Sequence, residues 1–293
     1  MSRATVRAIR TVLALALLAA PAACAASAPL PARAIELNRD GAIAMAGGDL
    51  ETAEARVALA LEYNPRFTEA WVNLGLVEMM RGNFERALRH LVRARDLNPD
   101  LPAPHHALGL LAEHELRGAD AEKHYRAALK VDPGFAPARI NLARLLFERG
   151  ALDEAREHFL RATQVAPGCV EGWTGLSETL LRLGRIDDSD EVLVRAHARF
   201  GADPLVELLE ARFLLRRGAF AEAERRLTPL ARLPDRRRAS AALSWIAIAR
   251  LGQSDAAGAV GAAERATALD PGDAVARYAL DAARRGGDPV PTP

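Results

Sequence analysis

Cysteine is almost missing from this 293-residue chain: Cys24 and Cys169 are the only two. A disulfide framework is therefore excluded, and Cys169 reads as an unpaired thiol in a turn. An excess of charge is missing too. The 39 basic and 38 acidic residues leave a formal charge of +1, which argues against bulk nucleic-acid binding. There is no glycine-rich phosphate loop and no Gly-x-Ser-x-Gly elbow, so nucleotide and hydrolase chemistry lack their usual carriers. His114 and Glu115 do not extend into a metalloprotease motif, because Gly118 stands where the second His is needed. The apolar run from Val12 to Ala20 is too short for an ordinary membrane span.

What the sequence does have is a period. Pro65, Pro99, Pro133 and Pro167 follow one another at intervals of 34 residues, and Pro271 closes a later copy in the same way. Aligned on these prolines, seven copies begin at Ala34, Thr68, Pro102, Ala136, Val170, Pro204 and Ser240. A repeat of this length denotes stacked helix-turn-helix units, each burying its apolar face only against its neighbours. Large residues fall at positions 4, 7, 11 and 24, the spacing of a helical stripe. Small residues at 8, 20 and 27 let helices approach closely. Glycines at position 15, such as Gly82, Gly150, Gly184 and Gly218, end the first helix. The proline at 32 stops the second.

The second copy carries Trp71, Leu74, Gly75, Gly82, Ala87, Leu91, Ala94 and Pro99. The fourth carries Arg139, Leu142, Ala143, Gly150, Ala155, Phe159, Ala162 and Pro167. On these residues the chain resembles the tetratricopeptide repeat family. The resemblance implies an all-α fold, a right-handed α-solenoid of about seven repeats over residues 34–272, with a capping helix at 273–285. Residues 286–293 are expected to be a disordered tail. The resemblance also implies a protein or peptide binder rather than an enzyme, with no cofactor and no metal.

Departures from the pattern are informative. Asp40 and Ala44 stand at seam positions of the first copy, as suits an end repeat with one open face. The fifth copy has Ser189 at position 20, and the sixth has Glu207 at 4 and Glu210 at 7. Units five and six are therefore expected to have the poorest seam and to fray first. Two extra residues fall near Pro234–Arg238.

Residues 1–30 lie outside the array. Arg3, Arg7 and Arg10 precede the Val12–Ala20 run, followed by small residues and Pro21, the order of a secretory signal. Cys24 at its end suggests a bacterial lipoprotein, lipidated at Cys24 and held to a membrane by that anchor. The run Pro21-Ala22-Ala23-Cys24 lacks the Leu usual three before the Cys, and cleavage after Ala25 or Ala28 also fits. Loss of this leader would leave 36 basic against 38 acidic residues.

By the resemblance, positions 2, 5, 6, 9, 12 and 13 of each first helix face a concave groove. These include Val72, Asn73, Leu76, Met79 and Met80 of the second copy, His106 of the third, and Asn141 and Arg144 of the fourth. Asn73 and Asn141 share position 6, where an amide can bond an extended peptide backbone without reading its sequence; a solvated Asn is the equal alternative. Val72, Leu76 and Met80 read as an apolar, adaptable strip, with Met79 packing on the neighbouring unit. A carboxylate clamp of Lys, Asn and Arg is not matched, since Asn38, Ala42, Ala103 and Ala107 hold its other places. Farther along, Arg144, Arg182, Arg212 and Arg216 occupy positions 9 or 13, and nine Arg against three acids lie between Arg212 and Arg238. An acidic peptide, a phosphorylated ligand or anionic lipid would suit them, although a solvated charged face is the plainer account.

His105, His106 and His114 cluster in the third copy. His106 and His114 are about two turns and 12 Å apart along a helix, too far for one metal ion. The expected function is a protein-interaction scaffold of the bacterial cell envelope, exported to the periplasm and anchored at the outer membrane. A narrower alternative resembles the lipoproteins that help type IV pilus secretins assemble. An enzyme or metal-binding subunit built on the third copy is the remaining class.

Overall fold

The structure, a computed structural model, describes residues 30–285. The leader with Cys24 and the tail at 286–293 lie outside the described residues. Fifteen α-helices and no strand occur among the described residues. The chain divides into two compact units, the first ending at Ala151 and the second starting at Leu152. The boundary between them falls in the turn of the fourth copy.

In the first unit, α1 (Ala32–Gly47) pairs with α2 (Leu50–Tyr63), and α3 (Thr68–Arg81) with α4 (Phe84–Leu97). Helix α5 (Pro102–His114) pairs with α6 (Gly118–Val131), and α7 (Ala136–Glu148) follows. The second unit opens with α8 (Leu152–Val165). Its pairs are α9 (Val170–Arg182) with α10 (Ile186–Phe200), and α11 (Pro204–Arg216) with α12 (Phe220–Leu230). Then come α13 (Arg236–Gly252), α14 (Ala256–Leu269) and the last helix, α15 (Ala274–Arg285).

The turn inside each copy has one geometry. Gly48, Gly82, Gly150, Gly184 and Gly218 all stand at position 15 with φ between 74 and 85°. The N–H of Gly82 donates to Met79 O and that of Asn83 to Glu78 O, which satisfies the last carbonyls of α3. The third and seventh copies make the same turn with Leu116 (φ 60°) and Ser254 (φ 62°). Left-handed backbone costs an L-residue about 1–2 kcal/mol, and Leu116 is 93% exposed, so no packing offsets that strain. Leu116→Gly is expected to raise stability by about 1 kcal/mol, since glycine's extra freedom when unfolded returns part of the gain. Thermal unfolding of the two chains checks this, and an unchanged or lower midpoint would count against it.

Close helix contact explains the small residues at position 8. A Cβ on Gly75 would sit 2.6 Å from Leu91, and one on Gly109 would sit 2.4 Å from the Tyr125 ring. Position 4 has a second role beyond filling the seam. The indole N–H of Trp71 donates to Pro65 O (2.9 Å), and that of Trp173 to Pro167 O (3.1 Å). His105 Nε2 lies 3.2 Å from Pro99 O, and Arg139 donates to Pro133 O. Each ties a first helix to the proline that closed the preceding copy, so residues as different as Trp, His and Arg serve alike.

The polar seam residues have partners. Ser189 is fully buried, and its hydroxyl donates to Ser177 O at 3.0 Å while lying 2.7 Å from Ser177 Oγ. Glu207 and Glu210 both pair with Arg226. The departing seam residues of units five and six are thus polar and partnered. The two extra residues near Pro234 do not form a loop; they lengthen α13, which starts at Arg236, ahead of the expected Ser240. Asp235 caps it by accepting from the Arg237 and Arg238 N–H groups. Asp273 caps α15 through Oδ1, while its Oδ2 accepts from Ser240 and Ser244 of α13.

Candidate functional site

The first helices of neighbouring copies meet through side chains at the expected groove positions. In the first unit the amide of Asn73 donates to Asn38 Oδ1 at 2.8 Å. The amide of Asn141 meets His106 Nε2, also at 2.8 Å. An amide N–H there makes Nε2 the acceptor and puts the ring proton on Nδ1. His106 is fully buried between the Tyr125 and Phe135 rings, each 5.6 Å away by centroid. Burial pushes its pKa down to about 3, so the ring is neutral at ordinary pH. Nearby, Glu113 accepts from the Tyr125 hydroxyl (2.7 Å) and from Arg144, which also reaches Glu148 at 2.8 Å.

In the second unit Arg212 pairs with Glu178 at 2.7 Å, and its guanidinium lies 4.9 Å from the Trp245 ring centroid. Arg182 and Arg216 are exposed at the ends of α9 and α11. Arg217, beside Arg216, lies over Phe213.

These placements correct several sequence expectations. Val72, Leu76 and His106 are buried, with Leu76 and His106 wholly so, and offer no surface to a partner. Asn73 and Asn141 are also buried, and each spends an amide bond on the preceding copy rather than keeping it for a peptide. Arg144 and Arg212 are already matched by carboxylates, so the expected basic groove is largely neutralised at those two positions. Met80 stays half-buried at the end of α3, and Met79 is fully buried in the seam. His105, His106 and His114 of the third copy go separate ways: His105 to Pro99 O, His106 to Asn141, and His114 onto the Phe84 ring at 4.2 Å. They form no common site.

Sequence reasoning missed the partners of these groups. Glu113 at position 12 and Glu178 at position 9 were visible as groove carboxylates, and pairing them with an Arg one copy later was the available signal. Cys169 is a free thiol. It donates to Glu171, and burial raises its pKa to about 12, so it is a poor nucleophile. No helix among the described residues is long and apolar enough to cross a membrane.

Two tetratricopeptide repeat families match, one over residues 38–102 and the other over 110–178. The chain is a tetratricopeptide repeat protein, an all-α solenoid of the kind that serves as a scaffold for protein contacts. No curated protein matches its sequence. Among solved structures it is similar to PilF of Pseudomonas aeruginosa, at 22% identity and TM-score 0.59 over 72% of this chain and 95% of that one. A tetratricopeptide repeat protein of Parabacteroides merdae shares 17% identity, with TM-score 0.63 over 87% of this chain and all of that one. Yeast Tom70 shares 16%, with TM-score 0.59 over 94% of this chain and 62% of its own.

Proposed function

We propose that this protein is an exported scaffold of a bacterial cell envelope that captures a segment of a partner protein on the first-helix faces of its repeats. The observation that carries the reading is the set of first-helix positions. In both units they bring polar side chains of successive copies together, the arrangement of a preorganised binding face rather than of a reaction centre. The working contacts in this reading are Met80 in the first unit, and Arg182 with Arg216 in the second. Export and a lipid anchor at Cys24 rest on the leader-like order of Arg3–Arg10, the apolar run and the small residues before Cys24.

A narrower reading is an assembly lipoprotein of a type IV pilus secretin. Its motivation is Cys24 at the end of the leader-like segment, together with a fold shared with PilF of Pseudomonas aeruginosa.

Affinity capture from envelope extracts tests the binding face. Met80→Glu and Arg216→Glu change half-buried or exposed side chains, so the fold should survive, as circular dichroism would show. Together they are expected to reduce partner recovery on the order of tenfold. Undiminished capture by the folded double variant would move the working surface elsewhere. Mass spectrometry of the mature envelope protein should find a chain starting at a lipid-modified Cys24, whereas a chain still carrying Met1 would end the export reading.

A further inference from the structure

Glu207 and Glu210 stand at positions 4 and 7 of the sixth copy, where the second copy has Trp71 and Leu74. In the structure both turn one oxygen toward His197 of α10. His197 Nδ1 lies 3.0 Å from Glu210 Oε1 and 4.0 Å from Glu207 Oε1. The other oxygen of each carboxylate, Oε2, faces Arg226 Nη1 on α12, at 3.1 Å from Glu207 and nearer still to Glu210. Arg226 thus holds the two carboxylates from behind while their free oxygens converge with the imidazole nitrogen. The three donor atoms all lie within 4.8 Å of one another, the only such group of His, Cys, Asp or Glu among the described residues.

Two carboxylates share one guanidinium, and a third, Glu222, lies 3.7 Å from Arg226 Nε. Both glutamates are only 15% exposed, so packing holds them in place, whereas His197 is half-exposed and leaves a way in from solvent.

We propose that His197, Glu207 and Glu210 bind one divalent transition-metal ion, Zn²⁺ being the fitting one. Zinc bonds of about 2.0–2.2 Å to nitrogen and oxygen set tetrahedral donors about 3.4 Å apart, and the observed 3.0 and 4.0 Å separations bracket that spacing. An imidazole ligand favours Zn²⁺ over Mg²⁺ or Ca²⁺, which take all-oxygen sets. Water completes the coordination on the open His197 side, and Arg226 orients the carboxylates without touching the ion. The ion would tie α10 to α11 where the seam lacks its usual apolar residues.

The test is calorimetric titration of the untagged, metal-stripped full chain with ZnCl₂, alongside thermal unfolding with and without the metal. One equivalent should bind saturably and raise the unfolding temperature. His197→Ala alters an exposed edge and should fold normally, yet lower Zn²⁺ affinity at least tenfold and abolish the thermal shift. Glu210→Gln should do the same; if it fails to fold, His197→Ala decides alone. His124→Ala, in another repeat, should leave binding unchanged, which separates this site from scattered surface histidines. Absence of saturable binding to the intact chain, or equal affinity in folded His197→Ala, overturns the proposal.

Discussion

Lowering the pH from 6.5 to 4 should cost the chain about 3 kcal/mol of stability through His106 alone. The folded ring has its pKa pushed from the ordinary 6.5 down to about 3 by burial. As pH falls below 6.5, the unfolded chain takes up a proton at His106 that the folded chain refuses. Stability is therefore lost between pH 6.5 and about 3, and this contribution levels off below that. His106→Gln should flatten the profile, because its side-chain carbonyl can still accept from the Asn141 amide but cannot be protonated in this range. Urea unfolding at pH 7, 5.5 and 4 on both chains reads the difference directly. Carboxylates titrate in both, so they cancel in the comparison. Parallel profiles would show that His106 is reached by water or finds a counter-charge when protonated.

Gly109→Val should destabilise the first unit by about 3 kcal/mol. The added Cβ would lie 2.4 Å from Tyr125 Cε1 and 2.6 Å from Cδ1, and a rigid ring cannot give way by a small torsion. Tyr125 is fully buried, donates to Glu113 at 2.7 Å, and packs against the His106 ring. Displacing it would break the hydrogen bond and open the wall of the His106 site together. The sixth copy shows a compatible pairing at the same two positions, Ala211 with Leu227, both fully buried. Gly109→Ala combined with Tyr125→Leu should therefore cost less than the sum of the two single changes, with a coupling on the order of 1 kcal/mol or more. Chemical denaturation of the four chains measures it. Strict additivity would mean that the two residues do not press on each other.

Much of the architecture can be read along the chain. The 34-residue interval between prolines, the apolar stripe and the small residues at 8, 20 and 27 place the helices, because each acts within a helix or between the two helices of one copy. Even the left-handed turn is announced by glycine in five copies, and the alignment alone locates Leu116 and Ser254 in the same place. The double duty of position 4 was hidden, since Trp71, His105, Arg139 and Trp173 share no chemistry beyond an N–H that reaches a carbonyl six residues back.

The candidate surface was much less legible. Family resemblance marks Asn73, His106, Asn141, Arg144 and Arg212 as groove residues from their positions, and a position number carries no information on whether a polar group is already satisfied. Their partners stand 31 to 35 residues away, on a neighbouring copy. The same holds for Glu207 and Glu210, which look like defects of the sixth copy until His197 and Arg226 are seen beside them. Period, helix limits and turns follow from the sequence by itself, because they depend on local backbone preference and on contacts repeated in every copy. Which polar side chains remain open to another molecule was decided only by the tertiary structure, because that depends on single pairs formed between copies, and each pair occurs once.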